Sequence, residues 1–257
     1  MKPDAGTRYL WWQPLSSQAR IVVGLLTVSA AMSIVGIIGV ATAPAPADMS
    51  FPLSDVSPEV QRALGGGSAG LQGLSFLFSL GLVVTWLLWQ HRAQSDLYAR
   101  GVPGLEYTPG WCVGWWFIPG ANFVMPYLCM RELFGRSGVA AGDATVHRDW
   151  KVLAWWLSYV GSAVLGLVGG MPLIRAIVSA AGSDVGHPGA LTTVTVTAEA
   201  IRTARAWAIA GRVSAIAAAG LAIWIVWTVS TREDAASGAT TGMPTFDGTV
   251  PPRPDLW

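Results

Sequence analysis

Charge is what this chain has least of. Only 12% of its 257 residues are Asp, Glu, Lys or Arg, against roughly 25% in soluble domains. With 52% hydrophobic residues, so little charge points to a membrane protein. Lysine is nearly absent, with 2 against 14 arginines, which together with abundant alanine and glycine fits a GC-rich bacterial genome. A net charge of +1 excludes a strongly basic nucleic-acid binder. The 2 cysteines, Cys112 and Cys129, are too few for a disulfide framework and lack metal-ligand spacing. They read as inert thiols that pack as small hydrophobes. No G-x-S-x-G elbow occurs, and Gly65 to Gly67 follow no strand, so that run is a hinge rather than a phosphate loop. The expectation is a protein without catalytic residues, metal or cofactor.

What the chain does have is long apolar runs. Residues 21–41, 71–91, 152–172 and 207–229 each suffice to cross a hydrocarbon core of about 30 Å at about 1.5 Å per residue. Arg212 alone interrupts the fourth run, near enough to its end to snorkel. Trp86, Trp89, Trp150, Trp155, Trp156, Trp224 and Trp227 form the belts expected at membrane interfaces. The first run follows Lys2 and Arg8 and ends in ATAPAPA, as a secretory signal would. Its apolar core is longer than the roughly 7 to 15 residues of such signals, which favours an uncleaved span. Residues 1–20 are then a cytoplasmic segment, and residues 230–257, rich in Ser, Thr, Gly and Pro, a disordered cytoplasmic tail.

Small residues recur every four positions at Ser158, Ser162, Gly166 and Gly170, and again at Gly211, Ala215 and Ala219. Such faces let membrane helices approach closely, either within the chain or across a homodimer. Residues 42–70 and 183–198 form outer loops, the second ending in a Thr/Val alternation too short for more than a strand-like edge. A helix starts near Ala198 or Glu199 and places Arg202, Arg205 and Arg212 on one side.

The most informative stretch is PGWCVGWWFIPGANFVMPYLCMRELFGR, Pro109 to Arg136. Residues 110–118 and 121–133 would make helices of about 13 and 20 Å, neither long enough to cross alone. Pro119 stops a continuous helix, and Gly120 permits a tight turn. Positive charge decides the topology. With residues 110–134 re-entrant, Lys2, Arg8, Arg20, Arg92, Arg100, Arg131, Arg136, Arg148, Lys151, Arg232 and Arg253 lie inside, and Arg62, Arg175, Arg202 and Arg205 outside, a split of eleven against four. A crossing hairpin would give eight against seven. The positive-inside bias favours four spans, both termini cytoplasmic, and a hairpin that returns.

The segment WLLWQHR followed by GW, WWFIP, AN, P-Y and R-E-L resembles the bacterial membrane family catalogued as domain of unknown function 4328. The matching positions are Trp89 and Arg92, Gly110 and Trp111, Trp115 to Pro119, Ala121 and Asn122, Pro126 and Tyr127, and Arg131 to Leu133. The likeness extends more weakly over residues 20–230. Members often carry a basic residue where this chain has Met125, a glutamine at Leu128 and an asparagine at Asp96. A family hairpin that bound an anionic headgroup through that basic residue would lose the contact here. The resemblance implies an integral protein of the bacterial inner membrane with no assigned activity.

The fold expected is therefore an all-α integral membrane protein, four transmembrane helices with a proline-broken, Trp-rich re-entrant or interfacial hairpin. The residues expected to contact a membrane protein partner or lipid are Trp111, Trp115, Trp116, Pro119, Asn122, Pro126, Tyr127, Arg131 and Glu132. Asn122 is expected to satisfy backbone groups freed by Pro119 and Pro126, with a ligand contact as the alternative. Arg92, Asp96, Arg148 and Asp149 are expected to form an inner-face charge network against lipid phosphate, where His91 and His147 could otherwise support acid–base chemistry. The leading role is a non-enzymatic scaffold or adaptor. A small transporter or channel with a site at the broken hairpin is the alternative.

Overall fold

The structure, a computed structural model, describes residues 14–52, 69–142, 150–183 and 193–241. In chain order its elements are α1 (Leu15–Ala41), β1 (Met49–Pro52), α2 (Ala69–Ala99), α3 (Pro109–Gly114), two 3-10 turns (Trp115–Phe117 and Ala121–Phe123), α4 (Met125–Ala140), α5 (Trp150–Ser183), β2 (Thr193–Val196) and α6 (Ala198–Thr241). The four long helices α1, α2, α5 and α6 are each long and apolar enough to cross a membrane.

Every long helix outruns the apolar stretch that announced it, and at the joined ends of α1, α2 and α6 polar side chains find partners on neighbouring helices. The clearest case corrects the expected tail. α6 does not stop at Val229 but continues to Thr241, and Ser230 and Glu233 within that extension are buried. Ser230 accepts the indole N–H of Trp89 at 3.0 Å. Glu233 forms an ion pair with Arg100, just past the end of α2, and the Arg100 guanidinium also donates to the Glu233 carbonyl at 3.0 Å. Asp234 accepts the backbone N–H groups of Leu15 and Ser16 at 2.9 and 3.2 Å. Those are orphan donors of the first turn of α1, and a carboxylate there also complements the helix dipole. The expected disordered segment is thus, up to Thr241, the clamp that joins α1, α2 and α6.

α6 is the central helix, with its largest interfaces against α5 and α1. The α5–α6 contact uses the small residues found in the sequence. The Ser214 hydroxyl donates to the Ser158 carbonyl at 2.8 Å. A Cβ at Gly211 would lie 3.5 Å from both the Leu165 Cβ and the Ser162 carbonyl oxygen. Close backbone approach of this kind holds membrane helices together without a hydrophobic driving force.

At the other end of the bundle, the all-α expectation needs a correction. β1 and β2 pair antiparallel, with Met49 opposite Val196 and Phe51 opposite Val194. Val194 and Val196 are buried between exposed threonines and join Phe51 and Ile201 in a small second core. The sheet forms because the Thr/Val alternation finds an edge to pair with, and Asp48 fastens it by accepting the Ala198 N–H at 2.7 Å.

Arg100→Met would leave the Glu233 carboxylate buried without its counter-charge, at a cost of about 3–5 kcal/mol. Arg100→Met combined with Glu233→Met should recover most of that loss. Denaturant unfolding of the solubilised chain, followed by tryptophan fluorescence, reads both variants.

Candidate functional site: a tryptophan-rich hairpin against one end of the bundle

The hairpin begins where Pro109 occupies the first turn of α3, a position that needs no amide hydrogen. Pro119 ends the first arm. Gly120 then takes φ +84°, a left-handed conformation that glycine adopts without a Cβ clash. Pro126 opens α4 in the same way as Pro109 opens α3. The expected two helices are therefore shorter on the first arm, where α3 gives way to a 3-10 turn, and longer on the second, where α4 reaches Ala140.

Both arms are tied to the same end of α2. The carboxylate of Glu132 on α4 accepts the side-chain amide of Gln94 at 2.9 Å. It also accepts the backbone N–H groups of Glu106 and Tyr107 at 2.7 and 3.2 Å. Gln94 donates as well to the Tyr107 carbonyl at 2.9 Å. One turn earlier on α2, Gln90 accepts the indole N–H of Trp116 at 3.1 Å. Trp156 of α5 donates to the Phe123 carbonyl at 3.2 Å, satisfying a backbone group at the turn. Trp116 also meets Trp156 and Tyr159 edge-on, with centroids 5.9 Å apart in both cases.

The expected contact residues thus divide by direction. Trp116, Pro126, Tyr127 and Glu132 face the bundle: Pro126 is buried, and Trp116 and Tyr127 pack against the main core. Arg131 lies over the Tyr127 ring at 5.8 Å. Trp111 and Pro119 face outward with Phe117, Ile118, Phe123 and Val124. Phe117 is 68% exposed, Phe123 60% and Trp111 54%. Trp111 stacks on Trp115 at 4.8 Å between centroids. Two polar atoms at the base of this rim, Asn122 Oδ1 and Trp115 Nε1, are buried without a hydrogen-bond partner among the described residues. The expectation that the Asn122 side chain satisfies freed backbone is therefore overturned. Its backbone N–H bonds the Ile118 carbonyl at 3.0 Å, and Trp156 supplies the backbone partner that Asn122 was expected to supply.

Cys112 and Cys129 are both free and buried. A hydrogen bond with Cys129, then burial, pushes the Cys112 thiol well above its ordinary range. It stays protonated and is a poor nucleophile. Among the described residues no cluster of His, Cys, Asp or Glu could hold a metal ion. The inner-face network is only partly where it was expected. Arg92 and Asp96 approach to 3.9 Å one turn apart, while Arg148 and Asp149, like His147, lie outside the described residues. The strong charge contacts run instead through Arg100, Glu233 and Asp234. Sequence reasoning missed these because it placed the two acids in a tail. It also passed over Gln90 and Gln94, although two amides four residues apart at the end of an apolar run are a usable signal of a polar docking face.

The pattern of the family described as Domain of unknown function (DUF4328) matches residues 54–231, a span that covers α2, the hairpin, α5 and most of α6. The chain belongs to that family. No curated protein and no solved structure matches it.

Glu132→Ala would leave the Gln94 amide only the Tyr107 carbonyl and would orphan two backbone donors, a loss of about 2 kcal/mol or more. The hairpin should then open more often, and maleimide should label Cys112 and Cys129 roughly 30-fold faster than in the unaltered chain. Quantitative labelling of the solubilised protein checks this.

Proposed function

We propose that the chain is a non-enzymatic scaffold of the bacterial inner membrane that docks a membrane protein partner on the outward rim of its hairpin. In this reading the four long helices cross the bilayer with both termini cytoplasmic. The hairpin enters from the cytoplasmic face and turns back. The observation that carries the proposal is the combination at the rim: rigid aromatic side chains beside an unpaired acceptor and an unpaired donor. Exposed apolar surface alone needs only lipid tails to cover it. Polar atoms left without partners at membrane depth are costly, and a partner whose docking turns the Asn122 or Trp115 side chain outward onto its own amide or hydroxyl would satisfy them. Aromatic anchors held from behind are also the side chains that dominate interfaces. Here Trp116, Trp156 and Glu132 do the holding.

A small transporter or channel is the second reading, favoured by a cavity of about 400 Å³ beside the hairpin that is lined by Trp86, Trp116, Trp155 and Tyr159. Its wall carries no Asp, Glu, Lys, Arg or His among the described residues, and Asn122 is not part of it. Coupled transport of ions usually needs titratable groups within the membrane.

Photo-crosslinking in native membranes separates these readings. A benzophenone side chain would be placed at Phe117, at Phe123, and at Leu77 on the exposed face of α2 as the control. The expected outcome is a discrete protein adduct from positions 117 and 123 that is absent at 77 and lost when Asn122→Leu is added. Lipid adducts alone, the same at all three positions, would sink the docking role.

A further inference from the structure

Away from the hairpin, α1, α5 and α6 enclose a second cavity of about 260 Å³ beside β2. Its wall is mostly small or apolar, with Gly166, Gly169 and Gly170 on α5, but it also carries two cations, Arg205 and Arg212. They stand two turns apart on α6. Arg205 is half committed, since its guanidinium donates to the Pro44 carbonyl at 2.8 Å. Arg212 lies five residues, about 8 Å, inside the apolar run 207–229. Its guanidinium sits against Gly36 of α1, where any side chain would collide with it. The side chain is partly exposed, and it packs along α1 as well as lining the cavity.

An arginine inside an apolar run carries a cost that falls toward the membrane surface and that a counter-charge offsets. No carboxylate lines the cavity, and among the described residues no acceptor engages Arg212. Asp48, just before β1, is occupied by the Ala198 N–H. On the α5 side of the cavity the wall has room at Gly166 and Gly170, where an added Cβ would meet nothing within 4 Å, and is tight at Gly169, where it would meet the Trp207 Cβ at 3.2 Å. α5 also contains Pro172 at this level, where the missing amide hydrogen loosens the helix wall.

We propose that this cavity binds a phosphate oxyanion between Arg205 and Arg212. The oxyanion supplies the counter-charge that the described residues withhold from Arg212. A guanidinium presents several donors in a fixed fork that suits phosphate oxygens. The glycine-lined wall leaves an apolar path for a chain attached to that phosphate. The group comes either from an anionic phospholipid or from free phosphate, and the two sources share the same site.

The test uses the full-length chain in detergent, with native mass spectrometry and thermal unfolding as readouts. Phosphatidylglycerol, phosphatidylcholine and inorganic phosphate are the three probes. Unaltered protein should retain one phosphatidylglycerol in preference to phosphatidylcholine and unfold at a higher temperature with it. Arg212→Gln should weaken that retention at least tenfold. Gly170→Leu fills the cavity while leaving both arginines in place, and should weaken it as much. Arg175→Gln, on the exposed face of α5, should leave it unchanged. Stabilisation by inorganic phosphate alone, lost in Arg212→Gln, would assign the site to the free anion. Equal retention of both lipids by the unaltered chain and by both cavity variants, with no response to phosphate, would overturn the site. Lipid-free unfolding temperatures and monodispersity confirm that each variant is folded.

Discussion

A single carboxylate fixes the hairpin. Glu132 gathers three donors from two segments: the Gln94 amide of α2 and the Glu106 and Tyr107 N–H groups of the loop that leads into α3. Hydrogen bonds to an ionised acceptor are about twice as strong as neutral ones. They also have geometric consequences. Because Glu132 lies on α4 and the loop precedes α3, the bonds bring the two ends of the hairpin together beside one end of α2. At the break, Gly120 turns the chain and the apolar side chains of Phe117, Ile118, Phe123 and Val124 point away from the bundle. The indoles complete the fixation. Trp116 reaches Gln90 and Trp156 reaches the Phe123 carbonyl, so each tryptophan buries a large apolar surface and places its one polar atom on a different element.

Charge in this chain is scarce and unevenly answered. At the end of the bundle that carries the hairpin, Arg100 meets Glu233 and Asp234 caps α1. Lys151 sits 3.9 Å over the Trp224 ring and Arg232 4.8 Å over Phe134. Cations there are neutralised by acids or by aromatic faces. At the end that carries the sheet, Arg212 lies against Gly36 of α1, and no acid pairs with it among the described residues. Among these, Arg212 has no such partner, and a cavity adjoins it.

The spans were legible because hydropathy needs no knowledge of neighbours, and so was the break in the hairpin, which Pro119 and Gly120 determine locally. The start of α6 at Ala198 was equally legible, since the threonines and the acid that precede the apolar run are local signals as well. The end of α6 was not. Residues 230–241 look like a tail by composition, and they are helical because Trp89, Arg100 and the N-terminus of α1 provide partners for Ser230, Glu233 and Asp234. Tertiary contacts of that kind leave no mark in a local window. Glu132 was singled out with the right segment and the wrong direction. Sequence spacing placed it at a contact surface, but only the fold shows that its contacts are internal.

This misassignment bears on the hairpin as a whole. A motif dense in Trp, Pro, Asn, Arg and Glu invites the reading that all its unusual residues face a partner. The structure separates them into those that build the platform and those the platform displays. Trp116, Pro126, Tyr127 and Glu132 belong to the first group, and Trp111 with the phenylalanines to the second. Asn122 and Trp115 belong to neither. Each keeps a buried polar atom without a partner at the junction between platform and display. Unsatisfied groups of this kind are uncommon in folded proteins and call for a specific explanation. Here they lie just behind the exposed side chains of Trp111, Phe117 and Phe123.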